Sequence, residues 1–160
     1  MKKDIIRILR ENARLSDKAI AARMGKKEKL VSDTIRSLEK DGTIKGYQVI
    51  VDESLLPETA VKAVIQVKVR PEREGGFDRI AKRLCKFPEV SSLYLMSGGY
   101  DLSLEVEGKT LQDVATFVSS KLAPIDGIIS TETHFLLKKY KVSGKTMESD
   151  ENYERLKVSP

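Results

Sequence analysis

Cysteine and histidine are nearly missing from this chain of 160 residues, which has one of each, Cys85 and His134. One cysteine excludes an internal disulfide, and one Cys with one His cannot complete a structural zinc site. Cys85 sits within a helical pattern and reads as a small core residue. No apolar run approaches the roughly 20 residues needed to span a bilayer. The first fifteen residues intersperse apolar side chains with Lys, Arg, Asp and Glu, unlike the continuous core of a secretory signal. A cytoplasmic protein without a membrane partner is expected. Equally missing is a constellation for catalysis: no acid–base pair, no nucleophile beside its base, no phosphate loop. No catalytic residue, metal or cofactor is assigned. What is present, 40% hydrophobic and 33% charged residues, fits a folded chain rather than a disordered one.

The basic excess is confined to one end. Residues 1–46 hold 13 Lys+Arg against 7 Asp+Glu, a net +6, whereas residues 47–160 hold 16 against 17, a net −1. Such asymmetry points to an anionic partner for the first segment, nucleic acid foremost, with a merely solvated basic surface as the alternative.

Ile5, Ile6, Ile8 and Leu9 form an apolar stripe on a short helix that Asn12–Leu15 interrupts. Ser16 is an N-cap for a second helix, with Asp17 in its first turn and Gly25 at its end. Ile20, Ala21 and Met24 form its buried side. A third helix runs from about Glu28 to Lys40, with Leu30, Val31, Ile35 and Leu38 expected to face inward and Asp41-Gly42 to stop it. Two helices joined by a glycine turn form a helix-turn-helix. Three positions test it: a small residue where the helices cross (Ala21), the turn (Gly25), and an apolar plug between them (Val31). All three hold. The third helix would enter the major groove of double-stranded DNA. Its solvent side carries Glu28, Lys29, Ser32, Asp33 and Arg36, where Arg36 can bond a guanine edge and Asp33 can accept from cytosine. Lys26, Lys27 and Lys29 are better placed for phosphates, which position without reading sequence. Asp33 has a second reading, an ion pair with a neighbouring base on its own helix.

Tyr47–Asp52 reads as a strand, broken at Leu55-Leu56-Pro57, so residues 47–59 are taken as a linker. Beyond Ala60 the period changes. Val61, Ala63, Ile65, Val67 and Val69 alternate along a strand. Phe77, Ile80, Ala81, Leu84 and Phe87 repeat at helical spacing. Val90–Met96 is a strand, Gly98-Gly99 a turn, and Asp101–Glu107 a strand. Leu111, Val114, Ala115, Val118 and Leu122 mark a helix, and Ile128–Val142 a long last strand. The expected fold is therefore α+β: a three-helix helix-turn-helix domain (1–46), a linker strand and hinge (47–59), a ferredoxin-like βαββαβ domain (60–144) and a tail (145–160). Both helices should cover one face of the four-stranded sheet. The other face, with Val64, Gln66, Ser92, Tyr94, Met96 and Ser103, is expected to be half-apolar and to meet a partner, most simply a second copy across a two-fold axis. Two helix-turn-helix units could then read a palindrome.

At this point the chain resembles the Lrp/AsnC family, the leucine-responsive or feast/famine regulators of bacteria and archaea. The resemblance rests on Ala13-Arg14-Leu15-Ser16, on Leu38-Glu39-Lys40-Asp41-Gly42-Thr43-Ile44-Lys45-Gly46-Tyr47, on Ser97-Gly98-Gly99-Tyr100-Asp101, and on Thr131-Glu132-Thr133. It implies a transcription regulator that binds DNA as a homodimer or an assembly of dimers. In this family the linker strand pairs with its partner, and the C-terminal RAM domain binds amino acids or related metabolites. The resemblance places the effector pocket at Gly98, Gly99, Tyr100 and Asp101 with Thr131 and Thr133. There, glycines would let amides approach a carboxylate, and Asp101 or a threonine hydroxyl would meet an amino group. The alternative reading is a tight hairpin turn whose geometry Asp101 fixes. The chain departs from the family at Lys26-Lys27, where Leu-Ser is usual: the N-cap is lost and the turn is more basic.

Two other functions compete with an effector-responsive regulator. One is an architectural protein that coats or bends DNA with little sequence preference, which the lysine-rich turn favours. The other is an enzyme subunit similar to the sirohaem decarboxylases, which share both domains with this family. That reading has only His134 to draw on.

Overall fold

Local backbone chemistry sets the first three helices. In the computed structural model, which describes residues 1–53, 56, 60–71 and 76–147, they span Lys2–Glu11 (α1), Asp17–Met24 (α2) and Glu28–Lys40 (α3). Asn12 ends α1, and its side chain accepts the Arg14 N–H at 3.0 Å. Ser16 caps α2 by accepting the Ala19 N–H at 3.2 Å. Gly25 leaves α2 at φ +61°, so the Lys26 N–H reaches back to the Ala21 carbonyl at 3.0 Å. Only glycine adopts that left-handed backbone without steric cost. After α3 the Ile44 N–H returns to the Leu38 carbonyl at 2.9 Å, and Asp41 accepts the Thr43 N–H at 2.9 Å.

The chain divides into two units, Met1–Val49 and the residues from Ile50 onward. The core of the first joins Ile5 and Ile8 of α1, Ile20 and Ala21 of α2, and Val31, Ile35 and Leu38 of α3, with Leu15 and Ile44 packed against it. Each fully buried Ile or Leu contributes about 1.5–3 kcal/mol from surface removed from water. Leu30 departs from expectation: it is 45% exposed. Thr34 takes the inward place instead, and its hydroxyl donates to the Leu30 carbonyl at 2.7 Å. The buried stripe is Val31, Thr34, Ile35 and Leu38. At about 100° per residue Leu30 falls on the flank of that stripe. The strand expected at Tyr47–Asp52 is not formed in the single chain, where Tyr47, Val49, Ile50 and Val51 are exposed.

The second unit is a four-stranded antiparallel sheet: β1 (Val61–Val69), β2 (Val90–Leu95), β3 (Leu102–Gly108) and β4 (Ile128–Phe135) in the order β2-β3-β1-β4. Helices α4 (Asp78–Leu84) and α5 (Leu111–Phe117, continued by a π turn over Val118–Leu122) connect them in ferredoxin-like fashion. Strict alternation along β1 buries Ala63, Ile65, Val67 and Val69, the last three in one core with Ile80, Leu84, Phe117 and Leu122. Gly127 precedes β4 at φ +92°, a backbone that residues with a Cβ rarely adopt, and a Cβ there would stand 2.7 Å from Ile80 Cδ1, which would have to shift.

Thr110 and Asp113 form a reciprocal capping box on α5, at 2.9 and 3.1 Å. Thr110→Ala is expected to cost about 1 kcal/mol, read as a lower urea midpoint with an unchanged slope. At the start of β1, Lys62 pairs with Glu53 at 2.7 Å and with Glu107 at 3.2 Å, and Lys139 joins the same Glu53 carboxylate at 2.8 Å.

Three further expectations for this unit are corrected. β4 ends at Phe135 rather than Val142, because its partner runs out: the Leu136 N–H takes the Lys62 carbonyl at 2.8 Å, one residue from the end of β1. Lys141–Val142 (β5) and Lys145–Thr146 (β6) instead form their own small hairpin. Cys85 is exposed, since the buried face of α4 is set by Ile80 and Leu84. The uncovered sheet face is more polar than half-apolar: Val64, Tyr94 and, just past β2, exposed Met96 stand among Lys62, Gln66, Lys68, Ser92, Ser103, Glu105, Glu132 and His134. Most of the tail and part of the expected hinge lie outside the described residues.

Candidate nucleic-acid interface

α2 and α3 meet across the Gly25 turn, with Ala21 4% and Val31 0% exposed. That packing turns the other side of α3 to solvent. Lys26, Lys27, Lys29, Asp33 and Arg36 are exposed, and Ser32 is half-buried on the same helix. None of the four cations enters an ion pair among the described residues, nor does Asp33, whose expected pairing with a neighbouring base does not form. The cations can therefore meet phosphates without breaking an internal contact. Lys27 stands at the N-cap of α3 and supplies no side-chain hydrogen bond. The first turn thus keeps unsatisfied N–H groups beside three lysines, an arrangement that favours anions. Leu30 adds an exposed apolar group to that turn, of the kind that meets a thymine methyl. Its signal was legible in the i, i+3, i+4, i+7 spacing from Val31.

Past α3, the Tyr47 hydroxyl donates to Glu39 at 2.9 Å, and partial burial together with that carboxylate raises the phenol's pKa. This bond ties the end of the first unit back onto its recognition helix.

Asp101 holds the turn at Gly98–Asp101 in place. The Asp101 carboxylate accepts the Val69 N–H at 2.8 Å and pairs with Lys68 at 3.2 Å. Its own N–H donates to the Val67 carbonyl at 3.1 Å. The Val69 bond, with Lys68 beside it, lowers the Asp101 carboxyl below the usual range. Asp101 is thus engaged in fixing the turn. A group whose folded pKa is depressed adds stability above its unfolded pKa, near about 4, and loses it as pH falls through the folded value. Acid unfolding of Asp101→Asn should accordingly converge on that of the unaltered protein below about pH 4, after trailing it at neutral pH. Parallel curves over the whole range would refute this role.

Tyr100 donates to Glu132, whose carboxylate raises the phenol's pKa, and Glu132 lies 3.3 Å from His134. Tyr100, Glu132 and His134 share the uncovered face. Thr131 and Thr133 lie opposite Val67 and Ile65 and so take the helix-covered face. The structure therefore ties Asp101 to β1 and Tyr100 to β4 but separates the two threonine hydroxyls from Tyr100. Glu132, His134 and Lys68, absent from the expected site, were recoverable from strand alternation. A Cβ added at Gly98 or Gly99 would meet nothing within 4 Å, so the turn borders open space.

Comparison with known proteins agrees with this geometry. Residues 1–45 match a winged helix-turn-helix DNA-binding model, and residues 62–146 match the Lrp/AsnC ligand binding domain. The HTH-type transcriptional regulator YugG of Bacillus subtilis is 44% identical over 158 residues, covering 98% of this chain and 95% of that protein. AsnC of E. coli shares the fold, with a TM-score of 0.64 at 20% identity over 88% of this chain and 93% of that one. So does a Neisseria meningitidis transcriptional regulator solved as a complex with L-Met, with a TM-score of 0.67 at 23% identity over 88% of this chain and 90% of that one. A three-helix unit with a solvent-facing basic helix, followed by a ferredoxin-like ligand-binding domain, places the chain in the Lrp/AsnC family of HTH-type transcriptional regulators.

Proposed function

We propose that the protein binds a specific duplex sequence through α3, as a homodimer or an assembly of dimers in the cytoplasm, and that an amino acid or related metabolite modulates it. The observation that carries this reading is the solvent side of α3 and the turn before it: exposed, unpaired Arg36 and Asp33 with half-buried Ser32 for base edges, and exposed, unpaired Lys26, Lys27 and Lys29 for phosphates. In this reading residues 1–46 hold the DNA, 47–59 connect, and 60–144 assemble and bind the effector. Exposed Tyr47, Val49, Ile50 and Val51 support self-association, being four apolar groups within five residues and without a strand partner. The effector is assigned to the open turn at Gly98, Gly99 and Tyr100, with Asp101 as the post that holds it, while Thr131 and Thr133, on the helix-covered face, are left out of that pocket.

Footprinting and mobility shift on the DNA upstream of the gene, at two salt concentrations and with free amino acids, test the proposal. A discrete two-fold footprint that an amino acid alters is expected. Sequence-blind binding with no repeated half-site would instead support an architectural protein, which the uncapped lysine-rich turn at Lys26-Lys27 favours.

A further inference from the structure

A second basic face lies on the ligand-binding unit and contains none of the residues assigned above. α4 buries Ile80 and Leu84 and exposes Arg79, Lys82 and Arg83, with Lys86 just beyond its end. Spacings of three, one and three residues put these four on one side of the helix. With Phe87 they line an open depression of about 690 Å³. Lys82, Arg83 and Lys86 enter no ion pair among the described residues. The helix dipole favours cations in a last turn and so accounts for Lys82 and Arg83, but it disfavours Arg79 in the first. The concentration is also local, because residues 47–160 as a whole carry a net −1.

We infer that this face of α4 holds the phosphodiester backbone of duplex DNA flanking the segment bound by α3. The inference rests on the DNA-binding reading of α3. Charge and dimension favour a duplex. From Arg79 to Lys86 the row is about 10 Å long at 1.5 Å per residue. One DNA strand presents a phosphate about every 3.4 Å of axis, so about three phosphates face the row. Long flexible cations of this kind neutralise phosphates without reading bases. The bound stretch would therefore be longer than the footprint of the recognition helices alone.

The test compares the full-length protein with the triple variant Lys82→Gln/Arg83→Gln/Lys86→Gln on two duplexes. One just spans the specific site, and the other extends it by about two helical turns, or 20 base pairs, on each side. The variant is expected to match the unaltered protein on the short duplex. On the long one it should bind on the order of tenfold more weakly at low salt, with a salt slope flattened by about two to three per patch. A charge-keeping variant, Lys82→Arg/Arg83→Lys/Lys86→Arg, should retain the long-duplex advantage and shows that the substituted helix still folds. Equal binding of the triple variant and the unaltered protein at both lengths overturns the inference and leaves the face as solvated surface or a site for an acidic protein. Equal weakening at both lengths overturns it too. Failure of the unaltered protein on the short duplex would instead refute the reading of α3.

Discussion

Leu38→Ala should unfold the first unit while the sheet unit stays folded, giving two separate transitions in urea where Leu38 gives one or two closer ones. Leu38 is 1% exposed, packs against α1 and α2, and offers its carbonyl to the Ile44 N–H. Truncation of a buried leucine costs about 2–5 kcal/mol, from lost transfer energy and from the cavity left behind. A unit of this size buries a smaller fraction of its surface than a large domain does and has little stability in reserve. Helical circular dichroism should fall in the first transition, and DNA binding should vanish with it. A single transition shifted by less than 1 kcal/mol (about half the smallest expected cost) would show that the three helices do not depend on their own core.

Arg36→Ala should cost about 1–3 kcal/mol in specific binding, roughly tenfold to a hundredfold, and should relax the preference at one base pair per half-site. Arg36 is exposed, unpaired and on the side of α3 away from Val31, Ile35 and Leu38. Its guanidinium fork can take both acceptors of a guanine edge, which lysine cannot imitate. Lys27→Ala is the contrast: binding should weaken uniformly across sequences, with a salt slope shallower by about one. A mobility-shift panel of single-base substitutions separates the two. Should Arg36→Ala weaken every duplex by the same factor, Arg36 is a phosphate contact and the base-reading assignment moves elsewhere on α3.

Where a single residue's chemistry decides a feature, the chain was legible. Ser16 and Gly25 mark the ends of α2 because one supplies an acceptor and the other a left-handed backbone. The alternation of β1 likewise specified which face is buried. What escaped depends on partners distant in sequence. β4 stops where β1 supplies no further backbone, a length set by pairing and invisible in the apolar run Phe135-Leu136-Leu137. Leu30 and Cys85 are exposed despite their apolar type, because angular position on the helix, and not residue type, decides which side chain is buried. At the turn, period-two alternation already separates Thr131 and Thr133 from Glu132 and His134. The engagement of Asp101 with Val69 required knowing that β3 lies beside β1.

The missing cap on α3 has a consequence for how affinity and stability trade. A serine, threonine or aspartate at that position would hold the first turn closed in the free protein, by about 1 kcal/mol. With Lys27 there, the free N–H groups of the formed first turn are left for an incoming phosphate, and part of the free energy of association is the capping that the unbound helix lacks. A substitution that tightened the unbound helix would remove both that reward and a positive charge, so thermal resistance and grip on DNA pull on this one residue in opposite directions.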